Sequence, residues 1–134
     1  MDEAWRRRVQ RAAAGVGRRG DTVDLVFVDD REIRRLNRRY RGKNKPTDVL
    51  SFAYDGGQGD DVVGEVFVSL ETLQRDAKRL NMPARHHAVR IVVHGLLHVA
   101  GYDHESDADA ARMERRERAA LKRVLPASIV RELF

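Results

Sequence analysis

The sequence predicts an α+β protein, with a small mixed β-sheet of three to four strands packed with about five helices in a single domain, residues 1–134. Two observations lead to this fold class. Strand-like alternation occurs in the first half of the chain and helical periodicity dominates the second half, which is the order of elements in α+β domains. A chain of 134 residues also has the usual length of one domain with one hydrophobic core.

The first half of the chain alternates helix and strand signals. Apolar residues at helical spacing predict a helix over Ala4–Val16. Thr22–Val28 is rich in β-branched and aromatic residues and predicts a strand. Asp29 or Asp30 can cap a following helix that runs to about residue 40. After a basic loop, and again after a glycine-rich connection, two further strands are predicted over Asp48–Tyr54 and Val62–Val68.

The second half is predicted to be helical, and each helix has a recognisable first residue. Ser69 caps a helix that runs to about Leu80, and Pro83 opens a long apolar helix. Ser106 and Asp109 have the spacing of a capping box, and the charged helix after them continues to about residue 124. Pro126 begins a short final helix. We expect these helices to stack on the sheet.

Positive charge is concentrated in the first third of the chain. Residues 1–45 contain 14 Lys or Arg and seven Asp or Glu, whereas residues 46–134 contain 12 and 14. The basic segment fits a polyanionic partner. Of the 26 basic residues 22 are Arg, the side chain that suits bidentate phosphate contacts. A compositional bias toward Arg on solvated helix faces explains the Arg count equally well.

Composition also excludes several classes of protein. The chain has no Cys, so disulfides and thiolate zinc ligands are both impossible. Its apolar runs are shorter than the roughly 18 residues that suggest a membrane span. The first eight residues lack the apolar core of a signal peptide. We therefore expect a cytoplasmic protein.

Three closely spaced histidines are the strongest chemical signal. Residues 94–104 read HGLLHVAGYDH, so His94 and His98 lie four residues apart, on one face of the predicted helix. Gly101 can reverse the chain with a positive φ and bring His104 back toward them. Three imidazoles around an open position are typical of a catalytic rather than a structural zinc site.

The ordinary explanation of these histidines is a set of surface or satisfied core side chains. The helix around His94 and His98 is apolar, however, and burying three imidazoles there without a metal would leave ring nitrogens in need of partners. We therefore favour a metal site formed by His94, His98 and His104. His86 and His87 lie farther upstream beside arginines, and we expect them at the surface or facing RNA.

The spacing is close to the zinc-protease pattern H-E-x-x-H-x-x-G-x-x-H, with one difference. Gly95 occupies the position of the glutamate, which in those proteases is the general base. A site without that carboxylate also repels an anionic substrate less. The sequence therefore keeps a metal-binding pattern and lacks the peptidase base.

The two motifs together resemble the YbeY family of bacterial endoribonucleases. Residues 94–104 fit the family pattern H-G-x-L-H-x-x-G-x-D-H, and residues 36–52, LNRRYRGKNKPTDVLSF, resemble its L-N-x-x-[YF]-R-x-x-x-x-P-T-D-V-L-S-F block. The resemblance extends from about Thr22 to Leu121. This chain departs from the family at Ala53 and at Glu65, and its first helix begins without the strand that usually precedes it.

The resemblance implies that His94, His98 and His104 bind one Zn²⁺ per chain and that Arg41 acts in RNA cleavage. It further implies a single-strand-specific endoribonuclease for ribosomal RNA processing, including maturation of the small-subunit 3′ end, and for ribosome quality control. The expected partners are single-stranded and ribosomal RNA and small-subunit ribosomal proteins, without a membrane.

The residues themselves leave alternatives open. A basic loop before a strand could hold Arg41 toward the metal site, or Arg39, Arg41 and Lys43 could be a solvated loop. Asp103 could orient a neighbouring imidazole or cap the turn, and the general base is not identified. The competing functions are a non-catalytic RNA- or ribosome-binding protein stabilised by zinc, and a zinc hydrolase of another kind.

Overall fold

The computed structural model describes residues 22–54 and 62–134, together with Arg7 and Arg11. The helix predicted over Ala4–Val16 lies outside these residues except for Arg7 and Arg11, which are both helical and exposed. The glycine-rich connection predicted before the last strand also lies outside them.

The described residues form one mixed sheet of three strands, in the order β1-β3-β2. The strands are β1 (Thr22–Val28), β2 (Val49–Ala53) and β3 (Val62–Ser69). Strand β3 is central, parallel to β1 and antiparallel to β2. Strand β2 is therefore one edge of the sheet. The predicted strands are confirmed to within one residue at each end.

The described residues also contain five helices, as the sequence predicts: α1 (Asp30–Arg41), α2 (Leu70–Arg79), α3 (Ala84–Val99), α4 (Asp107–Lys122) and α5 (Ala127–Leu133). Asp29, Ser69 and Ser106 each accept a backbone N–H from their own helix, which confirms these caps. Pro83 and Pro126 precede α3 and α5. Arg41 differs from expectation, because it is the last residue of α1 rather than the first of the loop.

Helix α3 contributes the largest share of the hydrophobic core among the described residues, and most of its residues are buried against the sheet or the other helices. A side chain at Gly95 would bring Cβ to 2.7 Å from Val66 Cγ1, 3.0 Å from Ser51 Oγ and 3.1 Å from Val49 Cγ2. The absence of a side chain lets α3 lie directly on β2 and β3. Ser51 Oγ also donates a hydrogen bond to the Gly95 carbonyl at 3.0 Å, so helix and edge strand are joined at this point.

Helix α1 covers a separate, smaller apolar cluster. Ile33 and Leu36 are buried with Leu50 of β2, and Phe52 packs against them. Because side chains alternate along a strand, Ser51 and Phe52 lie on opposite faces of β2. The edge strand therefore contributes to two sites, the α1 cluster with Phe52 and the contact with α3 through Ser51.

The prediction that His87 is at the surface or faces RNA is wrong. Its side chain is buried, and neither ring nitrogen has a hydrogen-bond partner among the described residues. Burial lowers the pKa of His87 below its usual value, so the neutral ring is favoured. His86 beside it is half-buried. The arginines next in sequence misled the prediction, because His87 lies on the inward face of α3.

Candidate metal centre

The last turns of α3 and the loop after it bring the three histidines together. His94 and His98 lie one helical turn apart near the end of α3. Gly101 has φ of +100°, the left-handed conformation expected of a glycine that reverses the chain. His104 then returns toward the helix, with ring centroids 6.0 Å from His94 and 5.3 Å from His98. The predicted local geometry is confirmed.

The donor atoms of the three rings converge on one point. One nitrogen from each of His94, His98 and His104 can be chosen so that all three lie within 4.8 Å of one another. The Nε2 atoms of His94 and His98 are 3.1 Å apart. Two nitrogen ligands of a tetrahedral zinc are about 3.4 Å apart, given Zn–N distances near 2.1 Å. The residues present therefore fit a zinc ion in ligand type, and the two helix-borne nitrogens already have nearly the separation that a shared zinc requires.

The environment of the cluster favours the neutral, ligating form of its most central ring. Burial, followed by the neighbouring His94 and His104, lowers the pKa of His98, although a hydrogen bond with the backbone of Tyr102 opposes the shift. A lowered pKa leaves a nitrogen lone pair available near neutral pH. Burial, and then the two histidines with which it would share a metal, thus favour the neutral form of His98.

Sequence reasoning missed a buried carboxylate beside the cluster. Glu117 of α4 is only 4% exposed, and its Oε2 lies 3.6 Å from His94 Nδ1. Nothing in the charged sequence of α4 distinguishes Glu117 from its neighbours except its spacing relative to buried Met113 and Leu121. Asp103, the carboxylate considered from sequence, instead accepts the Glu105 backbone N–H at 3.3 Å, as a turn cap does.

Arg41 and the three histidines line the same cleft, which has a volume of about 780 Å³. The Arg41 guanidinium donates a hydrogen bond to the Ser51 carbonyl at 2.9 Å and lies over the Phe52 ring, 5.7 Å from its centroid. Since a guanidinium has five N–H donors, this anchor fixes the group and leaves other donors for a ligand. Edge strand β2 therefore positions Arg41 at the cleft.

The basic loop after α1 is held in place by a buried amide. The Asn37 side chain donates from Nδ2 to the Lys45 carbonyl at 2.9 Å, and the Asn37 backbone carbonyl accepts the Lys43 N–H at 3.3 Å. Asn37, Lys43 and Lys45 all line the cleft. Asn37 is a second residue that sequence reasoning did not single out, although it belongs to the motif of residues 36–52. Thr47 and Asp48 also line the cleft and hydrogen-bond each other at 3.4 Å.

The position that carries the base in zinc proteases faces the sheet in this protein. Gly95 lies against Val66 and Ser51, so a longer side chain there has no space. Glycine at position 95 is thus required by the packing of the helix on the sheet, and it also leaves the site without the carboxylate of the protease pattern. Among the described residues, Glu117 and Asp103 are carboxylates near the triad, and each is engaged by other groups.

Comparison with solved structures identifies the class of fold. The chain is similar to the solution structure of a Thermotoga maritima protein, with a TM-score of 0.64 and 30% sequence identity, over 91% of this chain and 79% of that one. The three-stranded mixed sheet and five helices of the described residues confirm the α+β fold predicted from sequence. Within the described residues, no helix is both long and apolar enough to cross a membrane.

Comparison with known sequences identifies the family. Residues 2–125 match the family described as endoribonuclease YbeY. The endoribonuclease YbeY of Syntrophus aciditrophicus is 41% identical over 118 residues, which covers 84% of this chain and 74% of the relative. That of Chelativorans sp. is 38% identical over 134 residues, covering 90% and 80%. The chain belongs to the YbeY family, whose members are nucleases acting on RNA.

Proposed function

We propose that this protein is a zinc-dependent, single-strand-specific endoribonuclease that acts in ribosomal RNA processing, including small-subunit 3′-end maturation, and in ribosome quality control. His94, His98 and His104 would hold one zinc ion, and Arg41 would bind the scissile phosphate. The observation that carries this proposal is the shared cleft, in which an anchored guanidinium and three converging imidazoles face the same space.

The charges of the cleft suit a phosphodiester. Arg41, Lys43 and Lys45 contribute three cationic side chains to its lining, against the two carboxylates of Asp48 and Asp103. Bound zinc would add positive charge and polarise a phosphoryl oxygen or a water molecule. The fixed Arg41 guanidinium can donate hydrogen bonds to a phosphate whose charge increases in the transition state. Lys43 and Lys45 are exposed and can bind the neighbouring phosphates.

The open, exposed basic loop fits a flexible RNA strand better than a rigid duplex, because a single strand can bend its backbone into the cleft. We propose single-stranded ribosomal RNA as the substrate and small-subunit ribosomal proteins as partners. The proposed compartment is the cytoplasm, where ribosomal RNA is processed.

The decisive experiment pairs metal analysis with single-turnover cleavage of a single-stranded RNA by Arg41→Ala. We expect one zinc per chain in both proteins and a loss in rate of about 10²-fold or more in the variant, the usual scale for one electrostatic group. Lys at this position should rescue poorly, since it lacks the planar fork of donors.

Arg38→Ala is the matched control, because Arg38 is exposed on the same helix and does not belong to the cleft lining. It should retain the wild-type rate. Wild-type cleavage by Arg41→Ala would refute the role of Arg41. RNA binding without cleavage by metal-replete wild type would instead favour the non-catalytic zinc-stabilised binding protein, and cleavage of casein but not RNA would favour a peptidase.

A further inference from the structure

We propose that Glu117 is a positioning residue that orients His94 for metal binding. The inference rests on the metal site of the proposed function and assigns a role to a residue outside the histidine motif. Glu117 lies on α4, 23 positions after His94, so only the packing of α4 against α3 brings them together.

The two ring nitrogens of His94 face different partners. Nε2 faces His98 Nε2 at 3.1 Å, on the side where the three ligand nitrogens converge. Nδ1 faces Glu117 Oε2 at 3.6 Å. In a neutral imidazole one nitrogen carries the proton and the other carries the lone pair. A carboxylate beside Nδ1 favours the proton on that nitrogen and the lone pair on Nε2, where a metal would bind.

The Glu117 carboxylate is itself fixed by a second contact. Arg90 Nε lies 3.4 Å from Glu117 Oε1, the oxygen that does not face His94. Arg90 also hydrogen-bonds the Leu133 carbonyl and lies over the Phe134 ring, 4.4 Å from its centroid. Because each carboxylate oxygen has its own partner, the group has little freedom to rotate away from His94. Arg90 also compensates the charge of a carboxylate that is almost fully buried.

The contacts of Glu117 place it as an outer partner of His94. Glu117 Oε2 faces His94 Nδ1 while Oε1 faces Arg90, so the carboxylate restrains the His94 ring from the side opposite the other two histidines. Outer partners of this kind fix the tautomer and orientation of metal-binding histidines. Glu117 of α4 would thus act as a buried outer partner of a metal ligand on α3.

The test is the zinc affinity of Glu117→Gln, measured by competition with a chromophoric chelator. The amide keeps the shape of the side chain and removes the charge. We expect zinc binding to weaken by about 10–100-fold, the usual effect of losing an outer partner of a metal ligand. Glu114→Gln is the matched control, since Glu114 lies on the same helix, is about half exposed and pairs with Arg118. It should bind zinc as tightly as wild type.

A second measurement does not depend on the variant folding. Nitrogen-15 NMR of the imidazoles in metal-free wild type should show His94 as the tautomer with the proton on Nδ1. Equal zinc affinities of Glu117→Gln and wild type, or a proton on Nε2 of His94 in the wild type, would overturn the inference. If the wild type binds no zinc, the proposed metal site itself is refuted. Equal zinc binding by wild type and Glu117→Gln would refute only the role of Glu117.

Discussion

Replacing Gly95 by Ala tests whether the close approach of α3 to the sheet defines the site. The new methyl group would lie 2.7 Å from Val66 Cγ1 and 3.0 Å from Ser51 Oγ. Val66 is fully buried in the central strand, so relieving this contact requires a rearrangement within the core. Overpacking of this kind costs about 1–3 kcal/mol. The higher helix propensity of Ala offsets this loss of stability by up to about 1 kcal/mol.

We therefore expect the free energy of unfolding of Gly95→Ala to fall by about 1–2 kcal/mol, the upper part of the overpacking range less the propensity gain. For a chain of this size the loss corresponds to a decrease in melting temperature of roughly 3–8 °C. Cleavage of RNA should decrease as well, because α3 carries two of the histidines while β2 anchors Arg41.

Urea unfolding of the metal-free proteins measures the effect without a contribution from zinc. The same substitution in a Val66→Ala background should cost less, because the closest contact has been removed and the two changes are coupled. Stability of Gly95→Ala equal to or above that of wild type would refute the packing argument. Additive effects in the double variant would refute the assignment of Val66 as the limiting contact.

Two further predictions concern the histidines. His87→Leu should raise the free energy of unfolding by up to about 1 kcal/mol near pH 7, because it removes two unpartnered buried ring nitrogens. Burial lowers the folded-state pKa of His87, so the unfolded chain binds more protons and metal-free wild type should lose stability as pH falls below about 6.5. In urea unfolding of the metal-free proteins, His87→Leu should lose less stability than wild type over the same pH range. Parallel pH profiles of the two proteins would contradict this. Zinc removal by a chelator should lower the melting temperature of wild type, since the ligands join α3 to the turn after it. His98→Ala should contain no stoichiometric zinc by elemental analysis and its melting curve should not respond to the chelator; full zinc occupancy in that variant would disprove the ligand assignment.

The histidine cluster was accessible from sequence because its geometry is local. The i, i+4 spacing of His94 and His98 and the glycine turn before His104 depend on one helix and one loop. The same applies to the helix starts at Ser69 and Ser106, where a side chain caps the backbone three residues ahead. Short-range stereochemistry favours such features, so a local pattern is sufficient to predict them.

His87 shows where local reasoning fails. Adjacent arginines suggested an exposed position, but burial depends on which face of α3 meets the other elements. Asn37 and Glu117 were missed for a related reason, since a buried polar residue in a charged stretch resembles its exposed neighbours until its packing is known.

The sequence by itself determined the fold class, the boundaries of the described helices and strands to within about two residues, and the three candidate zinc ligands, because the boundaries and the ligand pattern depend on periodicity or spacing within short segments. Only the tertiary structure decided what surrounds those ligands. Arg41 reaches the cleft by anchoring to edge strand β2, and Glu117 reaches His94 across the packing of α4 on α3. Both contacts join segments distant in sequence, and no local pattern specifies which distant residues will meet.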